Sequence, residues 1–441
     1  MENIISQFWS RNRIVLKSFW IGFLTLLLLI PTFLIHGLVG EREDREHEAV
    51  AEISSRWAGP QTVNGPIIGI PYIENVSNNS GGSRPEKHWA YFLPGKLDIH
   101  SRIIAEHRYR GIFQAIVYST ELQVRCHYDS LHLQELELSS ASVLWSEAAV
   151  FFDLSDLRGL KEDVNLRLDT HTGGADLDLV PAKFSTDQFR NALSAPLPTW
   201  LPAAAGGPLE FSATIQLKGT GNLSFIPAGR ETKVEASSPW RDPSFTGSSL
   251  PDVRSIKDSG FVADWRTLAL NRSFPQQWKG NTIDFTPTAF GVNLIVPVDT
   301  YQQTTRCVKY AILIILMTFT AFLLIEWVYA RPIHSLQYLL VGFALCLFYT
   351  LLLSFSEYFG FNIAYAVAGV ATISLITWYV GSMLRSGKMS SFICLFLAVQ
   401  YGFVFTLIQL QDYALLMGSV GLFITLAIVM YFSRKIKWSA A

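Results

Sequence analysis

The uneven distribution of charged side chains along this 441-residue chain constrains its fold more than any other sequence feature. Asp, Glu, Lys and Arg are frequent from residue 41 to residue 306 and become rare from residue 308 to residue 432. Over the whole chain 16% of residues are charged, whereas soluble proteins average about a quarter. The distribution predicts a membrane domain joined to one large soluble domain.

Six segments are apolar over the roughly 20 residues that a transmembrane helix needs. The predicted spans are residues 18–39, 308–328, 336–355, 361–384, 391–410 and 413–432, with terminal flanks at 1–17 and 433–441. The first span lacks the short apolar core and the small-residue cleavage site of a signal peptide, so we interpret it as an uncleaved signal anchor. The other five are expected to form a C-terminal bundle.

The orientation follows from the cations in the short flanking segments, because Lys and Arg are retained on the cytoplasmic side. With the N-terminus inside, the cytoplasmic segments contain nine of them: Arg11, Arg13, Lys17, Arg331, Arg385, Lys388, Arg434, Lys435 and Lys437. The two short outer turns contain only the acidic residues Glu357 and Asp412. The sequence therefore predicts that both termini are cytoplasmic and that residues 40–307 lie on the opposite, periplasmic side of the membrane.

The soluble segment changes from a helical to a strand-like pattern after Gly59–Pro60, a pair that stops helices. Stretches such as "PIIGIPYI" and "LEFSATIQLKGTGNLSFIP" are rich in β-branched and aromatic residues and are bounded by turn residues. We expect a mainly-β domain, either a sandwich or a distorted barrel, with one short helix at about 186–193.

Chemical motifs are missing from the sequence. It contains no HExxH, nucleophile elbow, Walker loop or dinucleotide fingerprint. The four cysteines lack metal or redox spacing, which leaves a Cys126–Cys307 disulfide open against packed free thiols. A net charge of −1 without a basic run argues against nucleic acid as a partner. We expect a non-enzymatic protein without cofactor or metal.

The hairpin between the second and third spans is the first candidate site. Its polar residues, together with one acidic residue at the far end of the third span, are Glu326, Arg331, His334, Gln337, Tyr338 and Glu357. Polar side chains in a membrane helix usually face the bundle interior, so we expect a clamp in which Glu326 pairs with Arg331 or His334. The alternative is an ion-coupled carrier in which His334 relays protons. That role needs further ionisable groups, and the only strongly polar residue near mid-span is Gln400.

The loop "SPWRDPSF" is the second candidate site. It contains Trp240, Arg241, Pro243 and Phe245. Aromatic residues and Arg dominate the energetics of protein interfaces, so the loop is a candidate for docking a partner. The alternative is that Trp240 and Phe245 close one end of the β domain.

Three stretches carry a family resemblance: "RPIHSLQYLLVG" from Arg331, "GPIIGIPY" from Gly65 and "GTGNLSFIPAGRETKVEASSPWRDPSF" up to Phe245. With the order of anchor, large domain and clustered spans, the chain resembles the CreD family of Gram-negative inner-membrane proteins. It departs from the family at Ser335 and Tyr358, where members tend to have proline and histidine. The resemblance implies an inner-membrane location, a periplasmic domain and a role in cell envelope integrity, without enzyme activity or cofactor.

The expected function is therefore binding by the periplasmic β domain of envelope components or partner proteins, with the lipid bilayer around the bundle. An envelope-stress signal relay is an alternative, because the chain tethers the β domain to the membrane at both of its ends. Small residues in the spans, such as Ala364, Ala368 and Gly418, permit close packing with another copy or another protein, so oligomerisation stays open.

Overall fold

A computed structural model describes residues 13–77, 83–138, 142–171, 173–181, 184, 186–189, 192–201, 206–280, 282–295, 300–329, 333–410 and 413–433. The chain divides into two compact units. One unit combines Met1–His47 with Val298–Ala441, and the other is Glu48–Pro297. The predicted flanks 1–17 and 433–441 and hairpin residue Arg331 fall largely or wholly outside the described residues.

Seven helices are described: α1 Arg13–Trp57, α2 Thr300–Lys309, α3 Ala311–Tyr329, α4 Ser335–Phe359, α5 Phe361–Leu384, α6 Gly387–Gln409 and α7 Ala414–Ser433. In the part of the chain that the structure covers, α1, α4, α5 and α6 are long and apolar enough to cross a membrane. Helices α2 and α3 meet at a bend of 40°, and together they would make a fifth span. The prediction of a membrane protein with several spans is confirmed.

The helical unit has an apolar core to which α1 and the C-terminal helices contribute together. Leu28 of α1 and Phe319 of α3 are completely buried. The Phe348 ring of α4 lies edge-on against Tyr401 of α6 and Tyr365 of α5, with ring centroids 4.6 and 5.3 Å away. Aromatic pairs favour this edge-to-face geometry because the positive ring edge meets the negative ring face.

The described part of the second unit contains sixteen strands: β1 Gln61–Ser77, β2 Ser83–Phe92, β3 Lys96–Arg110, β4 Phe113–Tyr128, β5 Ala149–Leu154, β6 Val164–Thr170, β7 Gly173–Pro181, β8 Leu193–Pro196, β9 Leu209–Thr220, β10 Asn222–Phe225, β11 Glu231–Ser238, β12 Pro243–Gly247, β13 Val253–Lys257, β14 Gly260–Leu268, β15 Gln277–Lys279 and β16 Phe290–Leu294. They join in one sheet in the order β12-β16-β10-β1-β5-β8-β7-β6-β9-β4-β3-β11-β14-β13, while β2 pairs with β1 and β15. The prediction of a large β-sheet domain is confirmed. Most pairs are antiparallel, and β1–β10 and β3–β11 are parallel.

Alternation along the strands buries one face of the sheet. In β3, Ile99 and Ile103 are buried whereas His100 and Arg102 are exposed. Residues from most of the strands meet in one hydrophobic core that includes the fully buried Trp265. This alternation is expected of a sheet with one face on a core and one in water.

The prediction of a short helix at 186–193 is wrong, because none of the described residues in this range is helical. The backbone N–H of Phe189 donates to the Thr186 hydroxyl at 2.9 Å in a tight turn, and Leu193 begins β8. The Phe189 ring then stacks on Phe151 at 5.1 Å inside the core. Burial of this one aromatic ring outweighs the weak helix propensity of so short a segment.

Candidate functional site

The first cluster of polar contacts in the helical unit surrounds Glu326, near the end of α3. Its carboxylate forms an ion pair with the Lys17 amine of α1 and accepts a hydrogen bond from the Tyr338 hydroxyl of α4 at 3.3 Å. The same Lys17 amine donates to the carbonyl of Ile333 at 2.8 Å. We call Lys17, Glu326, Ile333 and Tyr338 the first clamp. It joins α1, α3 and the start of α4.

The two cations predicted to pair with Glu326 do not account for these contacts among the described residues. We expected Arg331 or His334 as its partner; Arg331 lies outside the described residues, and His334 caps α4. The His334 ring nitrogen Nδ1 accepts from the Leu336 N–H at 3.3 Å, and Gln337 accepts from the His334 N–H at 2.9 Å. This reciprocal arrangement satisfies backbone donors that a helix start leaves free.

A second cluster surrounds Glu357 at the other end of α4. Its carboxylate accepts from the Tyr301 hydroxyl of α2 at 3.2 Å and lies 3.6 Å from the Arg42 guanidinium of α1. The Glu357 side chain is only 8% exposed, so its charge depends on these partners. We call Arg42, Tyr301 and Glu357 the second clamp.

The separation of the two clamps matches a membrane. Lys17 and Arg42 are 25 residues apart on α1, which corresponds to about 37 Å along a helix. The hydrocarbon core of a bilayer is about 30 Å thick, so the two clamps fit its opposite boundaries. There, the ends of the spans carry charge without placing it in hydrocarbon.

Between these two levels, the described contacts of Gln400 are neutral. The side-chain amide of Gln400 in α6 donates to the Ile314 carbonyl of α3 at 2.9 Å, and its oxygen lies 3.2 Å from the Thr318 hydroxyl. Gln400 is 4% exposed, so these bonds satisfy an amide that has no access to water. They fasten α6 to α3.

The predicted docking loop is largely packed against its own domain. The Trp240 indole N–H is within 3.2 Å of the carbonyls of Asp242 and Ile295. Phe245 lies in β12 with its ring edge-on to Trp265 at 5.6 Å, and Pro243 begins that strand. Arg241 is exposed, so it is the member of the loop most open to a partner.

Sequence reasoning missed a cluster at the end of α1, within the β-sheet unit. The Trp57 ring lies 4.5 Å from the Lys218 amine and 5.1 Å from the Arg108 guanidinium, both cation–π contacts. Its indole N–H donates to the Tyr118 carbonyl at 3.3 Å. Nearby, Glu52 pairs with Arg110 at 2.5 Å. The last turns of α1 are therefore fastened to β3, β4 and β9.

Asp156 forms hydrogen bonds next to the end of α1, beside the Trp57 cluster. The Arg158 guanidinium, donating at 2.7 Å, lowers the pKa of the Asp156 carboxyl to about 2, helped by the Gly59 N–H at 2.8 Å. Arg158 also donates to the Ser55 carbonyl at 2.7 Å, so this carboxylate organises the chain that leaves α1. No local pattern indicates this site, because the bonds from Gly59 to Asp156 and from Arg158 to Ser55 join residues about 100 positions apart.

A pH-dependent stability follows from Asp156. A carboxyl whose folded pKa is lowered stabilises the fold fully above its unfolded pKa, 3.8, and loses that stabilisation as the pH falls toward about 2. We expect Asp156→Asn to cost about 1–2 kcal/mol at neutral pH and to remove this acid-dependent fall. Urea unfolding of the full-length protein, followed by tryptophan fluorescence, measures both. The exposed Asp258→Asn is the matched control, and an unchanged acid profile in Asp156→Asn would contradict the assignment.

Among the described residues, no group of three or more His, Cys, Asp or Glu could hold a metal ion. All four cysteines are free, so the disulfide left open above is absent. Cys126 is buried in the β domain, and that burial raises the pKa of its thiol, which keeps it protonated and unreactive.

The fold and the clamps define a polytopic membrane protein with a large β-sheet unit between its first helix and its remaining helices. A family model described as "Inner membrane protein CreD" matches residues 13–439. The Inner membrane protein CreD of Escherichia coli (strain K12) is 31% identical over 422 residues, which cover 94% of this chain and 91% of the relative. The chain belongs to the CreD family of inner-membrane proteins, as the sequence motifs predicted.

Proposed function

We propose that this protein supports cell envelope integrity without catalysing a reaction. In this proposal its β-sheet unit, Glu48–Pro297, faces the periplasm and binds an envelope component or a partner protein, while both termini are cytoplasmic. The distribution of cations along the sequence supports this orientation. Nine Lys and Arg residues fall in the segments on one side of the predicted spans, and the two short turns on the other side have none.

The arrangement of charges in the bundle favours a structural role for the helices over transport by an ion-coupled carrier. Ion-coupled carriers typically place ionisable groups near the bilayer midplane, at breaks in their helices. Here the described ion pairs of Glu326 and Glu357 lie at the two clamps, and the mid-level contacts of Gln400 are neutral. His334, which a proton relay would use, caps a helix instead.

Labelling with a membrane-impermeant maleimide tests the orientation. In a Cys394→Ser background, Arg254→Cys in exposed β13 should react in intact spheroplasts. Lys388→Cys in the first turn of α6 should react only after permeabilisation. Cys126, Cys307 and Cys346 are buried and contribute little background. The reverse pattern of labelling would place the β-sheet unit in the cytoplasm and end the proposal.

The docking loop can be tested in cells. Arg241 is exposed while the neighbouring Trp240 packs inward, so Arg241→Glu should leave folding intact and reverse the charge offered to a partner. We expect cells that carry Arg241→Glu in place of the native chain to lose resistance to detergent and bile salts. The exposed Arg254→Glu is the control and should keep that resistance. Full resistance with normal Arg241→Glu levels would show that partners bind elsewhere.

A further inference from the structure

An open groove lies between the last turns of α5 and the first turns of α6. Its volume is about 540 Å³, within the range of ligand sites. Its lining includes four hydroxyl side chains, an indole and a thiol: Ser374, Thr377, Ser382, Ser390, Trp378 and Cys394. Most of the exposed lining is still apolar, so the groove can hold a hydrocarbon chain beside its few hydroxyl groups.

One of these hydroxyl groups is poorly satisfied. Ser390 donates to the Thr377 carbonyl at 2.8 Å and so joins the two helices. The hydroxyl oxygen of Thr377 itself is buried, and none of the described residues forms a hydrogen bond with it. A buried hydroxyl without a partner is unfavourable, most of all within a bilayer. Ser390 therefore holds the two walls of the groove together, while the Thr377 hydroxyl is closed to an occupant of the groove.

The residues that link α5 to the first turn of α6, next to the groove in the sequence, are cationic. Arg385 and Lys388 are exposed there, and the sequence from 374 to 394 contains no Asp or Glu. Helix α6 starts at the same place, and its N-cap residue Ser386 makes no side-chain bond to the first turn. The free N–H groups and the positive end of the helix dipole attract an anion. This end of the groove thus suits a phosphate group.

We propose that the groove binds an anionic phospholipid of the surrounding bilayer. The phosphate lies against Arg385, Lys388 and the start of α6, and the glycerol backbone and acyl chains lie along the groove. Trp378 is 72% exposed, as is typical of indoles at the level of lipid headgroups. The two cations favour an anionic lipid over a zwitterionic one. This site goes beyond envelope support, and it does not depend on the partner of the β-sheet unit.

Cys394 supplies a native reporter of occupancy. It lines the groove and is partly exposed, whereas the other three cysteines are buried. The rate of maleimide labelling would be measured for the full-length protein in nanodiscs of phosphatidylcholine, with or without phosphatidylglycerol. We expect phosphatidylglycerol to slow labelling on the order of tenfold, given two cations near the surface. Arg385→Gln with Lys388→Gln should remove that protection.

The matched control removes two other cations. Arg434→Gln with Lys435→Gln makes the same change in net charge in the segment that follows α7 in the sequence, and it should keep the protection. Inorganic phosphate added to phosphatidylcholine discs should not protect, because the site requires the lipid. Equal labelling rates in both lipid compositions, or protection retained without Arg385 and Lys388, would overturn the proposal.

Discussion

Gly342→Leu should unfold the helical unit at a markedly lower temperature than the native chain. Gly342 lies in α4 where it crosses α1, and a Cβ built there would overlap the Leu28 side chain and lie 3.0 Å from the Phe319 ring. Leu28 and Phe319 are both completely buried, so neither can swing into open space. Forcing extra carbons into a packed core costs about 1–3 kcal/mol, and here the cost falls on the contact that holds the first span in the bundle.

Gly402→Leu is the matched control for this substitution. Gly402 lies in the middle of α6, is exposed, and has no atom within 4 Å of a Cβ built on it. Both substitutions replace a glycine inside a helix. Because glycine is a poor helix former, this replacement by itself stabilises the helix by about 1 kcal/mol. The thermal unfolding midpoint in detergent should fall for Gly342→Leu alone. Equal midpoints for the two variants would show that α1 does not pack closely on α4.

The features that sequence analysis predicted are those with local signals. The apolar stretches that became α4, α5 and α6 are visible because each helix contains its own hydropathy signal. The stop at Gly59–Pro60 and the strand content of the β unit are equally local. The bend between α2 and α3 was missed, because the apolar stretch from residue 308 hides a break at Tyr310.

The features that it missed depend on residues far apart in the chain. Lys17 and Glu326 are 309 positions apart, so the search for a cation considered only the neighbours of Glu326. The parallel pairing of β1 with β10 has the same origin, because strand order depends on contacts that no window of sequence contains. The role of Trp57 likewise follows from its contacts with Arg108 and Lys218 on strands that are distant in the sequence.

Lys17→Met should destabilise the protein by about 2 kcal/mol, although it removes a single surface-like lysine. In the native chain the Glu326 side chain is only 12% exposed, at the predicted edge of the hydrocarbon. After the substitution, the Tyr338 hydroxyl is the partner that the structure describes for its carboxylate. A charge left buried without its counter-ion costs more than the pair contributed. Glu326→Gln should be milder, because the amide oxygen still accepts from Tyr338.

The double variant separates this explanation from simple loss of packing. When Lys17→Met is combined with Glu326→Gln, the cost should be smaller than the sum of the two single costs by about 1 kcal/mol, since no charge is left without a partner. The exposed pair Arg45–Glu41 on the same helix is the matched control, and Arg45→Met should change stability by less than about 0.5 kcal/mol. Strictly additive costs at Lys17 and Glu326 would mean that the two charges do not interact. The attachment of the first span would then depend on apolar contacts such as Leu28 with Gly342, and the two clamps would not determine how α1 is held.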